Sequence, residues 1–206
     1  MKSKVESYFD IFGKLANKIK ITDRNLNKFE LDQAIQLFMD KAKIAHSTGN
    51  KLMFIGNGGS STIASHMAED YSKAGNIRSI AFNDSAFITC LGNDFGYEHI
   101  FSKQIEMFSQ SGDILIAISS SGNSLNIVNA IYEARKKGCW ILTLTGFNSD
   151  NAVRKIGDIN IYVPSEEYGL VEISHLALCH SALDINLGWG SNKNSNNKTN
   201  IRIAAA

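Results

Sequence analysis

The sequence predicts an α/β fold: a doubly wound, parallel five-stranded sheet with helices on both faces, preceded by N-terminal helices. Three observations predict it. Short, almost wholly apolar runs recur along the chain, as strands buried on both faces require. Segments of helical periodicity separate these runs, and that alternation is the mark of a parallel sheet. Two of the runs also end in tight turns of small polar residues that open into helices. Gly56-Asn57-Gly58-Gly59-Ser60-Ser61 follows Leu52-Met53-Phe54-Ile55, and Ser119-Ser120-Ser121-Gly122-Asn123-Ser124 follows Ile114-Leu115-Ile116-Ala117-Ile118.

Taken in order, residues 4–20 and 28–47 read as amphipathic helices; in the second, Leu31, Ala34, Ile35, Phe38 and Met39 fall on one face. Strands are expected at 52–56, 79–82, 114–118, 140–144 and 159–163, and helices at 61–73, 85–91, 98–108, 124–137, 150–156 and 169–187. There is a single proline, Pro164, and no linker-like stretch, which argues against two tethered domains. Residues 1–48 are expected to pack as helices on a domain formed by 49–188 and to take part in self-association. The stretch 189–206, with its run of Ser, Asn and Lys from Ser191 to Lys198, is expected to be a disordered tail.

Composition excludes several function classes. The 206 residues are 44% hydrophobic and 20% charged with a formal net charge of +1, so no basic surplus points to nucleic acid or to an anionic membrane. No apolar run approaches the ~20 residues that span a bilayer, and the N-terminus lacks the apolar core of a signal peptide. Cys90, Cys139 and Cys179 are odd in number and lack metal-type spacing, so they are expected as reduced thiols. A cytoplasmic protein with no nucleic-acid or membrane partner is the expectation.

The two small-residue turns carry the functional signal. Each follows a strand and opens a helix, so backbone N–H groups and hydroxyls converge where the helix dipole favours an anion. One such loop is common turn material; two in one domain point to a sugar-phosphate site. In the second loop Ser119, Ser121 and Ser124 are better placed for phosphate oxygens than Ser120, which reads equally as a turn residue. The helix after the first loop carries His66, Glu69 and Asp70, with His66 and Asp70 four apart on one face. A surface pair is the bland reading, and proximity to a phosphate loop argues against it. The last helix carries Glu172, His175 and His180 among apolar residues, where a histidine is as readily a core residue as a base. Asn93 and Asp94, in Gly92-Asn93-Asp94-Phe95-Gly96-Tyr97, read as a turn or as groups that orient sugar hydroxyls.

With these motifs in hand, the chain resembles the sugar isomerase (SIS) domain family, and within it the phosphoheptose isomerases, over residues 30–187. The motifs that carry the resemblance are Phe54 to Ser60, Gly92 to Tyr97, Ile118 to Ser124 and Leu142-Thr143-Leu144-Thr145-Gly146. The resemblance implies a flavodoxin-like sheet, a homotetramer with active sites shared between subunits, and conversion of sedoheptulose 7-phosphate to D-glycero-D-manno-heptose 7-phosphate through an enediol. It implies that Asn57, Gly58, Gly59, Ser60, Asn93, Asp94, Ser119, Ser120, Ser121 and Ser124 bind substrate. It also implies a zinc or acid–base site containing His66 and His180; by ligand type, His66, Asp70, Glu172 and His180 together suit a tetrahedral zinc site.

Two residues depart from the family pattern, which has glutamate where this chain has Asp70 and glutamine where it has Glu172. Asp70 is shorter by roughly 1.5 Å, and a 1 Å misplacement can cost ~10²-fold. Either the backbone shifts to let Asp70 work, or Glu172 takes over as base, or Glu69 serves; the second is the expectation adopted. Catalysis is thus expected from His180 with Asp70 or Glu172. Glu172 and His180 stand ~12 Å apart along one helix, so a shared ion favours a site assembled from two chains. Three competing readings are an isomerase of another sugar phosphate, a non-catalytic SIS adaptor that binds the replication initiator protein, and a sugar-phosphate sensor. The retained histidines favour an enzyme, and no basic N-terminal cluster supports a sensor fused to a DNA-binding module.

Overall fold

The computed structural model describes residues 2–190. The chain runs through helix α1 (Lys4–Ala16), strands β1 (Lys20–Asp23) and β2 (Lys28–Phe29), and helix α2 (Leu31–Ser47). It continues through β3 (Leu52–Gly56), α3 (Gly59–Lys73), β4 (Ser79–Ala81), α4 (Ser85–Phe95), α5 (Ile100–Phe108) and β5 (Ile114–Ser119). The last elements are α6 (Leu125–Lys136), β6 (Trp140–Thr145), β7 (Ile159–Tyr162) and α7 (Tyr168–Asn186). One sheet takes the order β2-β1-β7-β6-β5-β3-β4. Strands β3 to β7 pair in parallel. Read alone, those five have the doubly wound order in which the second strand lies outside the first.

Every residue of β3 and β5 is buried, which is why both read as unbroken apolar runs. Their side chains alternate between two cores. Leu52, Phe54, Ile114 and Ile116 pack with α2, α3 and α7 on one face. Met53, Ile55, Leu115 and Ala117 pack with α5 and α6 on the other. The chain reverses direction across the sheet between β3 and β5. Both small-residue loops leave the carboxyl ends of these two strands, at the position where doubly wound sheets bind ligands.

Among the described residues the sheet has seven strands, not five. Strand β1 pairs antiparallel with β7 (Ile21 opposite Ile161) and with β2. Strand β1 begins at the last residue of the first expected helix and runs on through residues 21–23, and β2 replaces the start of the second; the first helix stops at Ala16 and the second starts at Leu31. Only Ile21 of β1 is buried and β2 has two residues, so neither leaves an apolar period. The turn between them is fixed by Asp23, whose carboxylate accepts from the Asn25 and Asn27 N–H groups and from Asn27 Nδ2, each at 2.8 Å.

Other boundaries also move. Helix α4 runs past 91 to Phe95, capped by Asp84, whose Oδ1 accepts from the Ala86 and Phe87 N–H groups at 3.0 Å. Asn93 and Asp94 are therefore helical rather than a turn. The expected helix at 150–156 is a 3₁₀ turn at Val153–Lys155. There the side chains of Asn148 and Asn151 bond the local backbone instead. Trp189 and Gly190 lie in a turn closed by the Trp189 N–H on Asp184 O, and the rest of the expected tail lies outside the described residues. No helix among the described residues is long and apolar enough to cross a membrane.

Candidate active site

Helices α3 and α7 lie side by side, both with their N-terminal ends at the carboxyl edge of the sheet. Contacts follow one register along them: Glu172 against Gly59, His180 beside Asp70, the Tyr71 hydroxyl donating to Cys179 O at 3.0 Å, and Leu183 against Gly75. This pairing builds two features on one helix pair, a polar cleft at the N-terminal end and a histidine–carboxylate cluster further along.

The cleft has a volume of about 250 Å³. Asn57, Gly58, Gly59 and Ser60 line one side, and Ser119, Ser120, Ser121 and Ser124 line the other. Gly58 caps α3 at φ +55° without a side-chain cap, so no side chain covers this end of the helix, and the Ser60 and Ser61 N–H groups donate to Asn57 O and Gly58 O, each at 3.0 Å. At Gly56 a Cβ would stand 2.6 Å from the Ser60 carbonyl group, so only glycine lets the loop turn this closely. In the second loop Ser119 Oγ accepts from the Gly122 N–H at 3.1 Å and closes the turn. Ser124 is the N-cap of α6, yet its side chain makes no capping bond. Ser120 Oγ is buried without a partner among the described residues. An N-cap serine usually spends its hydroxyl on the helix, so the hydroxyls of Ser120 and Ser124, beside that of Ser60, are left over for a ligand.

Sequence reasoning missed three residues here. Tyr168 lines the cleft one helical turn before Glu172, a spacing that the sequence does display. Asn126 and Tyr97 bond to Asn57; Tyr97 closes the Gly92–Tyr97 motif, but nothing in the local pattern announces its bond or that of Asn126. Glu172 also lines the cleft, and a Cβ at Gly59 would collide with both of its carboxylate oxygens. Its carboxylate therefore sits at the N-terminal end of α3.

The cluster comprises His66, Asp70 and His180. His66 Nε2 stands 3.5 Å and His180 Nδ1 3.8 Å from Asp70 Oδ2, and the two rings meet edge-on at 5.2 Å. One ligand-type atom from each of the three lies within 4.8 Å of the others. Zinc bonds of ~2.0–2.2 Å to nitrogen and oxygen place tetrahedral ligands about 3.4 Å apart, so two histidines and a carboxylate fit three positions with a fourth open. The three come from one chain. Glu172, expected as a fourth ligand, is outside this group and two turns away. Glu69 is exposed and also outside it. Asn93 and Asp94 are exposed and do not line the cleft of their own chain; Asp94 instead accepts from Asn93 Nδ2 at 2.8 Å.

The SIS domain family model matches residues 15–146, more than half of the chain. The chain belongs to the SIS domain family. The match takes in both serine loops, His66 and Asp70, whereas the α7 side chains of this SIS domain lie beyond it. The phosphoheptose isomerase of Hamiltonella defensa subsp. Acyrthosiphon pisum (strain 5AT) is 37% identical over 176 residues, covering 82% of this chain and 81% of that protein. The phosphoheptose isomerase of Enterobacter sp. (strain 638) is 36% identical over 187 residues, covering 86% and 96%. Among solved structures, a phosphoheptose isomerase from Francisella tularensis has a TM-score of 0.76 at 30% identity, covering 90% of this chain and 98% of that one.

His175 of the SIS domain is a core residue. It is fully buried, and its Nε2 lies 3.1 Å from Thr145 O, the geometry of an N–H donating to that carbonyl. Burial pushes its pKa down to about 4. The folded chain thus holds it neutral while the unfolded chain protonates it near 6.5. Stability from this difference is complete above pH 6.5 and is lost as pH falls toward 4, on the order of 3 kcal/mol in all. Denaturant titrations at pH 7.5 and 4.5 should show His175→Gln losing less stability on acidification than the parent does.

Proposed function

We propose that this SIS domain interconverts sedoheptulose 7-phosphate and D-glycero-D-manno-heptose 7-phosphate, working in the cytoplasm as a homotetramer. The observation that carries the reading is the approach of Asp70 to both histidines on the helix whose N-terminus opens the anion cleft. A non-catalytic adaptor or a sensor has use for the cleft but none for such a cluster. The relatives' common activity supports the same substrate.

The reaction needs one end of the sugar anchored and a proton moved at the other. The N-termini of α3 and α6, with the Ser120 and Ser124 hydroxyls, hold the phosphate. His66 stands seven residues from Gly59, ~10 Å along α3, so the far end of an open seven-carbon chain reaches the cluster. There one group takes the proton from C1 of the ketose while the C2 carbonyl oxygen gains a proton, which gives the enediol. Return of a proton to C2 with loss of the O1 proton gives the aldose. The geometry favours Asp70 as base and His180 as its acid partner over a relocation to Glu172, because Glu172 stands in the phosphate cleft. The same atoms of His66, Asp70 and His180 would alternatively hold a zinc ion, and with it bound Asp70 Oδ2 and His180 Nδ1 would be ligands rather than base and acid. When bound, it would supply Lewis-acid polarisation of the carbonyl.

The exposed Val5, Phe9 and Ile11 of α1 support self-association. Asn93 and Asp94 then serve in the cleft of a neighbouring copy. NMR of sedoheptulose 7-phosphate with the protein tests the reading: an aldose 7-phosphate should accumulate, and its absence at micromolar enzyme overturns it. Glu172→Gln separates the roles of the carboxylates. It should leave kcat within about threefold and lower KM by roughly tenfold, the scale of one like-charge contact in a partly hydrated cleft. Abolished turnover would instead make Glu172 the base.

A further inference from the structure

We propose that Asn126 and Tyr97 are positioning residues that act through Asn57 to fix the spacing between the two anion-binding loops. Asn57 follows β3 in the first loop, and Asn126 lies in the first turn of α6, directly after the second. Their amides pair reciprocally: Asn57 Nδ2 donates to Asn126 Oδ1, and Asn126 Nδ2 donates to Asn57 Oδ1, both at 2.9 Å. The Tyr97 hydroxyl donates to the same Asn57 Oδ1 at 3.2 Å. Three of the four hydrogen-bonding positions of the Asn57 amide are thus engaged by protein, leaving one N–H for a ligand.

Asn126 is 2% exposed, so its amide has no water to fall back on. A leucine of similar size in the same place would pack but could not pair. One turn further along α6, Asn129 Nδ2 donates to Glu98 O at 2.9 Å and holds the 3₁₀ turn that carries Tyr97. Helix α6 therefore grips both the first loop and the Gly92–Tyr97 segment through asparagines three residues apart on one face.

The arrangement has a physical purpose. The N-termini of α3 and α6 carry partial positive charge of the same sign and face one cleft, so they repel when nothing anionic lies between them. A reciprocal amide bond joins the loops across that gap, and donors held in place before binding need no reorganisation when the anion arrives.

The inference rests on the proposed phosphate cleft, so its test uses inorganic phosphate by calorimetry beside the isomerase assay. Asn126→Ala and Asn126→Leu should each weaken phosphate binding about tenfold. KM should rise by a similar factor while kcat changes less than about threefold. Tyr97→Phe, at an exposed residue that does not threaten folding, should move both constants in the same direction by about threefold. Because Asn126 acts through Asn57, Asn57→Ala combined with Asn126→Ala should bind phosphate no more weakly than the worse single variant. Lower melting temperatures with unchanged phosphate affinity would overturn the proposal, and so would additive losses in the double variant. Phosphate binding that follows this pattern in a protein without isomerase activity would uphold the positioning role and refute the assigned reaction alone.

Discussion

Asp70→Asn is expected to lower kcat by about 10²–10⁴-fold while phosphate affinity stays within about twofold. Asparagine keeps the size and the hydrogen-bonding oxygen of aspartate but cannot take a proton, and general acid–base groups contribute on that scale. The neighbours sharpen the expectation. Asp70 is the carboxylate that approaches both His66 and His180, so its loss removes the charge that both imidazoles face. The phosphate cleft begins more than two turns away on the same helix and should not register the change. Steady-state kinetics with sedoheptulose 7-phosphate and calorimetry with inorganic phosphate check the two halves separately. Turnover near that of the parent would remove Asp70 from the chemistry.

Asp113→Ala is expected to destabilise the fold by about 3–5 kcal/mol, the range for removing one partner of a buried ion pair. Asp113 opens β5 at the end of the sheet opposite the cleft, and its side chain is fully buried. One carboxylate oxygen accepts from the Lys51 N–H at 2.9 Å and from Asn50 Nδ2 at 3.2 Å. The other accepts from the Gln110 N–H at 2.9 Å and from Lys51 Nζ at 2.6 Å. Removing it leaves those donors unpaired and the Lys51 ammonium, only one-fifth exposed, without its counter-charge. A loss of that size is a large part of the ~5–15 kcal/mol that holds a domain folded. Denaturant unfolding measures it, and a change below about 1 kcal/mol would mean that water reaches the site and replaces the carboxylate.

The parallel part of the sheet was legible because β3 and β5 are buried on both faces and carry unbroken apolar runs, while β6 and β7 are interrupted only by buried polar residues such as Thr143 and Asn160. The two serine loops were legible for a related reason, since small polar residues directly after such runs have few other uses. Strands β1 and β2 were not, because they are short, only Ile21 of them is buried, and β1 takes its second partner from β7, far along the chain. The pairing of Asp70 with His180 could not be read either. Helical spacing links His66 to Asp70, but nothing in a sequence states which turn of α7 lies beside which turn of α3. Family resemblance supplied that link. Ligand type alone suggested Glu172 as a metal ligand, whereas its carboxylate lies against Gly59 at the other end of the helix pair.

The common register of α3 and α7 makes the helix pair a ruler. Anchor and cluster are mounted on the same rigid rod, so the gap between them is set by the helical rise of 1.5 Å per residue and not by the walls of a pocket. On the proposed reading, sugar length is measured directly. A shorter sugar phosphate would seat its phosphate equally well and hold its carbonyl short of Asp70. Lengthening α3 by one residue between Gly59 and His66 would swing the histidine about 100° around the axis. Such a helix can drift freely in sequence on its outer face, but it cannot change its count.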